Sequence, residues 1–166
     1  RCSRDWSSDV CSSDLARVPF IVRTPGCTPG TVDRFVTTCD VLPTLCALAG
    51  AEAGETDGLS LAAGLCGGAY PHRECVVGQY HSKQRWVNPI RMYRTREWKY
   101  NRYRVHGEEL YDLVNDPEEM VNLAEDDRHA PRKKELSDAL DLWMAQNGDT
   151  DFVNLRPTNR DGTRLG

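Results

Sequence analysis

Residues 90–113 run IRMYRTREWKYNRYRVHGEELYDL. Ile90 to Thr95 and Trp98 to Tyr103 are rich in aromatic residues, have strand length and flank Arg96-Glu97, which predicts a β-hairpin. Arg-Glu is a poor primed-turn pair, because neither residue adopts positive φ readily, so a longer loop is expected. Glu109 to Leu113 follows His106-Gly107 as a further strand, and Cys75 to Tyr80 is a candidate strand upstream. A sheet of three or more strands with one apolar face holds together where a lone hairpin does not. The stretch therefore predicts a small antiparallel sheet.

Downstream, Asn115-Asp116-Pro117-Glu118-Glu119 carries a helix-start signal: Asp116 can cap, Pro117 suits the first helical position, and Glu119 lies three residues past the cap. A short helix to about Ala124 is expected. Pro131 opens a longer one, with Leu136, Leu140, Trp143 and Met144 on one stripe and Gly148 as its stop. Beyond Gly148 the tail is polar and is expected to be loosely held. Upstream, Val18 to Val22 is a short apolar run with Pro19 near its start, and predicts a buried strand. Asp40 to Ala49 predicts a helix, with Val41, Leu42, Leu45, Leu48 and Ala49 in helical spacing, Pro43 in the first turn and Gly50 at the end. Residues 51–70 are small, polar and glycine-rich, which is loop composition.

The 166 residues suffice for one domain, and 39% hydrophobic with 28% charged residues is the balance of an ordinary globule. No apolar run reaches the roughly 18–20 residues needed to span a bilayer. A net charge of −4 gives no global attraction to nucleic acid or anionic lipid. Seven cysteines, with no Cys-x-x-Cys pair, argue against a disulfide scaffold and a zinc ribbon. Residues 1–15, RCSRDWSSDVCSSDL, have neither helical nor strand periodicity and lack the apolar stretch of a signal peptide. Asp5 to Leu15 looks like the in-frame translation of a sequencing-library adapter, which makes residues 1–15 a non-native leader.

Chemistry is sparse. Cys27-Thr28-Pro29-Gly30-Thr31 begins like a Cys-x-Pro-x-Arg formylglycine segment, but Thr31 replaces the arginine and no helix follows closely. Gly58-Leu59-Ser60-Leu61-Ala62 resembles a nucleophile elbow without its last glycine or a preceding strand. His72, His81, His106 and His129 form no His-x-His or His-x-x-x-His pair, so no metal site is expected. One charge pattern stands out. Lys83, Arg85, Arg91, Arg94, Arg96, Lys99, Arg102 and Arg104 crowd a stretch whose sole acid is Glu97, whereas 108–127 holds nine acids and no Lys or Arg. Trp86, Tyr93, Trp98, Tyr100 and Tyr103 interleave with the cations. Two outcomes remain open: the acids fold back over a basic sheet, or some of the cations recognise an anionic sugar or nucleic acid.

Four motifs together carry a family resemblance. Arg17-Val18-Pro19-Phe20-Ile21-Val22-Arg23-Thr24-Pro25-Gly26 resembles the strand and turn that follow the last active-site loops of sulfatases. Asp40-Val41-Leu42-Pro43-Thr44-Leu45 with Leu48-Ala49-Gly50 is similar to their next helix, and Asp57-Gly58-Leu59-Ser60-Leu61 to the loop after it. Glu108 to Leu113, Asn115 to Glu119 and Asn122-Leu123 resemble their closing signature, and the order holds from Arg17 to Met144. The resemblance implies the alkaline-phosphatase superfamily. Its fold is α/β, with a large mixed sheet and a smaller C-terminal antiparallel sheet packed by a C-terminal helix.

For this chain the resemblance implies an α/β (α+β) portion of that fold. Residues 16–72 would be the end of the large mixed sheet and its core, residues 73–148 the small antiparallel sheet and helix, and residues 149–166 a polar tail. It implies sulfate-ester hydrolysis by a formylglycine nucleophile with bound calcium, both held by an N-terminal part to which no position here corresponds. No catalytic or metal residue is assigned, no cofactor is expected in this chain, and the chain alone is expected to be inactive. Its expected partners are that N-terminal catalytic part and a sulfated small molecule or saccharide, with neither membrane nor nucleic acid. His81, Lys83 and Arg85, in Tyr80-His81-Ser82-Lys83-Gln84-Arg85-Trp86, are the candidate substrate-binding residues. The alternatives are a non-catalytic module binding anionic polysaccharide or nucleic acid, and part of a related phosphoesterase or phosphonate hydrolase.

Overall fold

The computed structural model of the chain describes residues 17–27, 29–83, 86–159 and 161–164, without the side chains of 82, 83 and 86. Contacts divide the described residues into two units, one spanning Pro19–Val76 and the other running from Val77 onward together with Arg17 and Val18.

In the unit Pro19–Val76, a 3-10 turn at Thr38–Asp40 leads directly into helix α1 (Val41–Leu48), with Pro43 in its first turn as expected, and helix α2 (Ala62–Leu65) follows. Asp40 organises this unit although its side chain is fully buried. Its carboxylate accepts two hydrogen bonds from the Arg73 guanidinium, at 2.7 and 2.8 Å, and further bonds from the backbone N–H groups of Leu59 and Thr37. The Thr44 hydroxyl donates to the Asp40 carbonyl and accepts from the Leu61 N–H, tying the same loop to α1 a second time. The loop lies so close to the helix entry that a Cβ on Gly58 would stand 2.0 Å from the Cys39 carbonyl oxygen, so only glycine fits there.

The sheet of the second unit has four strands in sequence order, the first starting one residue before the unit boundary: β1 (Val76–Lys83), β2 (Trp86–Arg94), β3 (Trp98–Tyr103) and β4 (Glu108–Asp112). β2–β3 and β3–β4 are antiparallel, with Tyr93 opposite Tyr100 and Tyr100 opposite Leu110. The β2–β3 connection manages without primed-turn residues because Thr95 supplies the closure. Its N–H donates to the Trp98 carbonyl, and its hydroxyl accepts from the Trp98 N–H. Side-chain alternation sends Tyr93, Trp98, Tyr100 and Leu110 to one face, where they pack with Ala124, Leu136 and Leu140; the last two lie on helix α3 (Ala130–Gln146). Full burial of each leucine contributes about 2–3 kcal/mol, which fixes this helix on the sheet. Ile90, Met92 and Tyr103 cluster on the opposite face with Tyr80. There Gly78 leaves room for Met92, whose Cε would be 3.0 Å from an added Cβ.

Three expectations are corrected. Val18–Val22 is not a strand: Arg17 to Thr24 enter no ladder, and Val18 and Ile21 are exposed. An extended run survives as a strand only where a neighbour takes its hydrogen bonds, and Pro19 already lacks a donor. The described residues therefore contain a single four-stranded antiparallel sheet packed by helices, and no end of a large mixed sheet. The helix expected from Pro117 to Ala124 is also absent. Glu119 takes φ +54°, and its carboxylate reaches the buried Lys99 Nζ at 2.6 Å. Beyond it the chain lies against β4: the Leu123 N–H donates to the Leu110 carbonyl, while Asn122 Oδ1 accepts from the N–H groups of Leu110 and Ala124. This covers the outer edge of β4, an edge that would otherwise invite further strand pairing. Finally, the tail after Gly148 is not loose. It forms helix α4 (Asp151–Asn154), buries Phe152 and returns to β2 through Thr158.

Two outcomes follow for stability. Asn122→Ala strips the partners from the Leu110 and Ala124 amides and is expected to lower urea-unfolding stability by about 1–3 kcal/mol, against under ~0.5 for the exposed Asn115→Ala. For Asp40, burial pushes the carboxyl up, but the Arg73 hydrogen bonds and the Leu59 and Thr37 amides outweigh it, lowering the pKa from 3.8 to about 2. A depressed carboxylate stabilises above its unfolded pKa. About 2 kcal/mol should therefore be present at pH 5 and disappear between pH 4 and 2, a loss that Asp40→Asn abolishes in an acid titration.

Candidate functional site

Strand β1 presents Val77, Gln79 and His81 to the face that carries α3 and α4, and β2 presents Arg91 there. The Arg91 side chain is wholly buried, so its charge requires a partner in place. Asp149 supplies it bidentately: Nε donates to Oδ2 at 2.5 Å and Nη2 to Oδ1 at 2.7 Å. The Gln79 amide donates to the same Oδ2 at 2.8 Å, and Arg91 Nη1 donates to the carbonyls of Ile90 and Tyr80. The Phe152 ring lies 5.6 Å from the guanidinium carbon. Hydrogen bonds from Arg91 hold the Asp149 carboxyl below its ordinary value, so it stays ionised at neutral pH.

One residue beyond Tyr80, this buried base gives way to solvent. His81 Nδ1 stands 3.7 Å from Asp151 Oδ2, and both side chains are partly exposed. An imidazole beside a carboxylate, on a rigid two-strand base, can donate to and accept from the hydroxyls and anionic substituents of a ligand. Of the three candidate recognition residues, the structure thus places His81. Lys83 ends β1 with its side chain outside the described residues, and Arg85 lies wholly outside them. The sequence singles out Arg91 only as one cation of the basic stretch, and does not single out Gln79, Asp149, Asp151 or Phe152. The available signal was Asp149-Thr150-Asp151-Phe152, two acids and an aromatic directly after a helix-stopping glycine.

Elsewhere, two further cations of the basic stretch have internal partners. Arg102 donates to Asp141 and to the Ser137 hydroxyl on α3, Lys99 is paired with Glu119, and Tyr100 donates to Glu108. Cys27 follows a turn, with the next helical residue at Thr38, so nothing presents it as a nucleophile. Among the described residues no strand precedes Ser60, and its hydroxyl accepts a bond from the Ala62 N–H at the start of α2. Among the described residues no three His, Cys, Asp or Glu side chains are grouped to hold a metal ion, and no helix is long and apolar enough to cross a membrane. The described residues therefore do not fit a calcium or formylglycine centre.

This is a mixed α/β arrangement whose polar site sits at the end of a small sheet. Comparison with known proteins assigns it. The family model described as "N-sulphoglucosamine sulphohydrolase, C-terminal" matches residues 10–146, and the chain belongs to that family. The match begins inside the stretch that resembles an adapter translation. The chain is 38% identical over 154 residues to the Delta 4,5-hexuronate-2-O-sulfatase of Bacteroides thetaiotaomicron, covering 86% of this chain and 31% of that protein. It is 37% identical over 117 residues to the choline-sulfatase of Rhizobium meliloti, covering 68% and 22% respectively. Among solved structures, a 2-O GAG sulfatase matches with TM-score 0.66 and 33% identity over 76% of this chain and 30% of that one. The chain thus spans about a third or less of the relatives it matches. It carries neither a nucleophile motif nor a metal cluster among its described residues, whereas the relatives it resembles are sulfatases.

Arg91, Lys99 and Arg102, spread over β2 and β3, are engaged internally and so withdrawn from any cationic track. The purified chain is expected to leave single-stranded DNA unbound at ~0.15 M salt, where a phosphate-tracking protein binds with a steep salt dependence. Fluorescence anisotropy at two salt concentrations checks this.

Proposed function

We propose that this chain is the C-terminal portion of a sulfuric ester hydrolase acting on a sulfated saccharide. An N-terminal part of the same protein would supply the formylglycine nucleophile and the calcium, and residues 1–15 would be a non-native leader. On this reading residues 16–72 close the catalytic core, residues 73–148 form the C-terminal subdomain and residues 149–166 its tail. The carrying observation is 38% identity, over 86% of the chain, to a sulfatase whose name specifies a hexuronate 2-O-sulfate. Two structural relatives add support: the 2-O GAG sulfatase, and an enzyme in complex with D-glucosamine-2-N,6-O-disulfate that is 27% identical with TM-score 0.60. His81, Lys83 and Arg85 are proposed to border the saccharide, with the His81–Asp151 pair as the described part of that contact.

A second reading rests on the phosphonate monoester hydrolase of Agrobacterium radiobacter, 26% identical with TM-score 0.57. It would exchange the sulfate ester for a phosphonate ester. The higher identity to sulfatases favours the first.

The test is a chimaera in which residues 17–159 replace the matching C-terminal part of the Bacteroides hexuronate sulfatase. The chain alone should leave aryl sulfates intact, and the chimaera should hydrolyse a 2-O-sulfated unsaturated disaccharide. The triple variant His81→Ala, Lys83→Ala, Arg85→Ala should lower kcat/KM for the disaccharide by ~10-fold or more, and by less for an aryl sulfate. Hydrolysis by the isolated chain, or equal effects on both substrates, would overturn the proposal.

A further inference from the structure

Segment Asp149–Thr158 touches the β1–β2 pair at four separate points. Asp149 holds Arg91 of β2 and Gln79 of β1 through one carboxylate. Asp151 stands beside His81 of β1. Phe152, 8% exposed, packs under the Arg91 guanidinium. Thr158 then closes a two-way bridge to Val87 of β2: its N–H donates to the Val87 carbonyl, and its hydroxyl accepts the Val87 N–H, both at 2.9 Å. We infer that this segment is a strap that sets the position of β1 against β2, with Asp149 as its positioning residue. It acts on the ligand only through the strands it holds.

The chemistry supports a mechanical role. A buried guanidinium has five donors in a fixed plane, and Arg91 places four of its hydrogen bonds on three elements: Asp149, the Tyr80 carbonyl of β1 and its own neighbour Ile90. Removing the carboxylate leaves a buried cation without its counter-charge, so the strand that carries it has to shift or admit water. β3 and β4 have supports of their own in α3 and in the Asn122–Leu123 edge cover, so the disturbance should remain within β1 and β2. The functional consequence rests on the recognition role proposed for His81. A displaced β1 misplaces the imidazole, which weakens saccharide binding while leaving the reacting centre alone.

Amide hydrogen exchange on the full chain tests the strap without reference to activity. Asp149→Asn should raise exchange in residues 79–81 and 90–92 by ~10-fold or more, with β3, β4 and α3 unchanged. Thr158→Val, a milder change that keeps volume, should do the same at the Val87 amide if Asp149→Asn unfolds the chain. Unchanged exchange at 79–81 and 90–92 in a folded Asp149→Asn variant, unchanged exchange at Val87 in Thr158→Val, or loss spread evenly over all four strands, would overturn the strap. In the chimaera, Asp149→Asn should raise KM for the sulfated disaccharide by ~10-fold with kcat within about twofold, and Asp149→Glu should recover part of the loss. If exchange rises as expected and KM does not, the strap stands and the recognition role of His81 falls.

Discussion

The ladder between β2 and β3 sets Arg91 directly opposite Arg102, and Arg94 directly opposite Lys99. Like charges facing each other across antiparallel strands repel, and two of these four side chains are buried to the last atom. The sheet can exist only if acids arrive from elsewhere. They come from three separate stretches: Glu119 to Lys99, Asp141 to Arg102 and Asp149 to Arg91. Each acid brings its own element with it, namely the edge cover of β4, helix α3 and the C-terminal strap. Charge compensation and chain path are here a single problem.

That requirement also explains where function can lie. The buried cations Arg91 and Lys99 are committed to holding the sheet together and are withdrawn from the basic aromatic surface suggested by composition. His81 and Asp151 emerge from the buried Gln79–Arg91–Asp149 base near the end of β1, where the proposed ligand contact lies. A ligand contact there, as proposed, would inherit the support of that base.

Much of this fold was legible locally. Trp98–Tyr103 matches its expected strand at both ends, β4 is offset by one residue, and the helix under Leu136 and Leu140 runs as its apolar spacing requires. The failures share one cause. Asp116-Pro117 is a sound helix start, yet Lys99, about 20 positions upstream, draws Glu119 into a left-handed conformation and ends it. Val18–Val22 has the composition of a strand, but a strand is defined by a neighbour and none pairs with it among the described residues. The tail looked unattached because its anchor, Arg91, lies 58 residues away in sequence.

From its order of residues alone, then, the chain determined the alternation that makes strands, the stripe that makes α3, and the motif order that marks its family. These are short-range or comparative properties, carried by neighbours in sequence. Which acid would meet which cation, how the edge of β4 would be closed, and that the last residues would clamp β1 to β2 were decided only in three dimensions. A buried charge is satisfied by whatever carboxylate the folded chain brings within about 3 Å, and no local pattern records that distance.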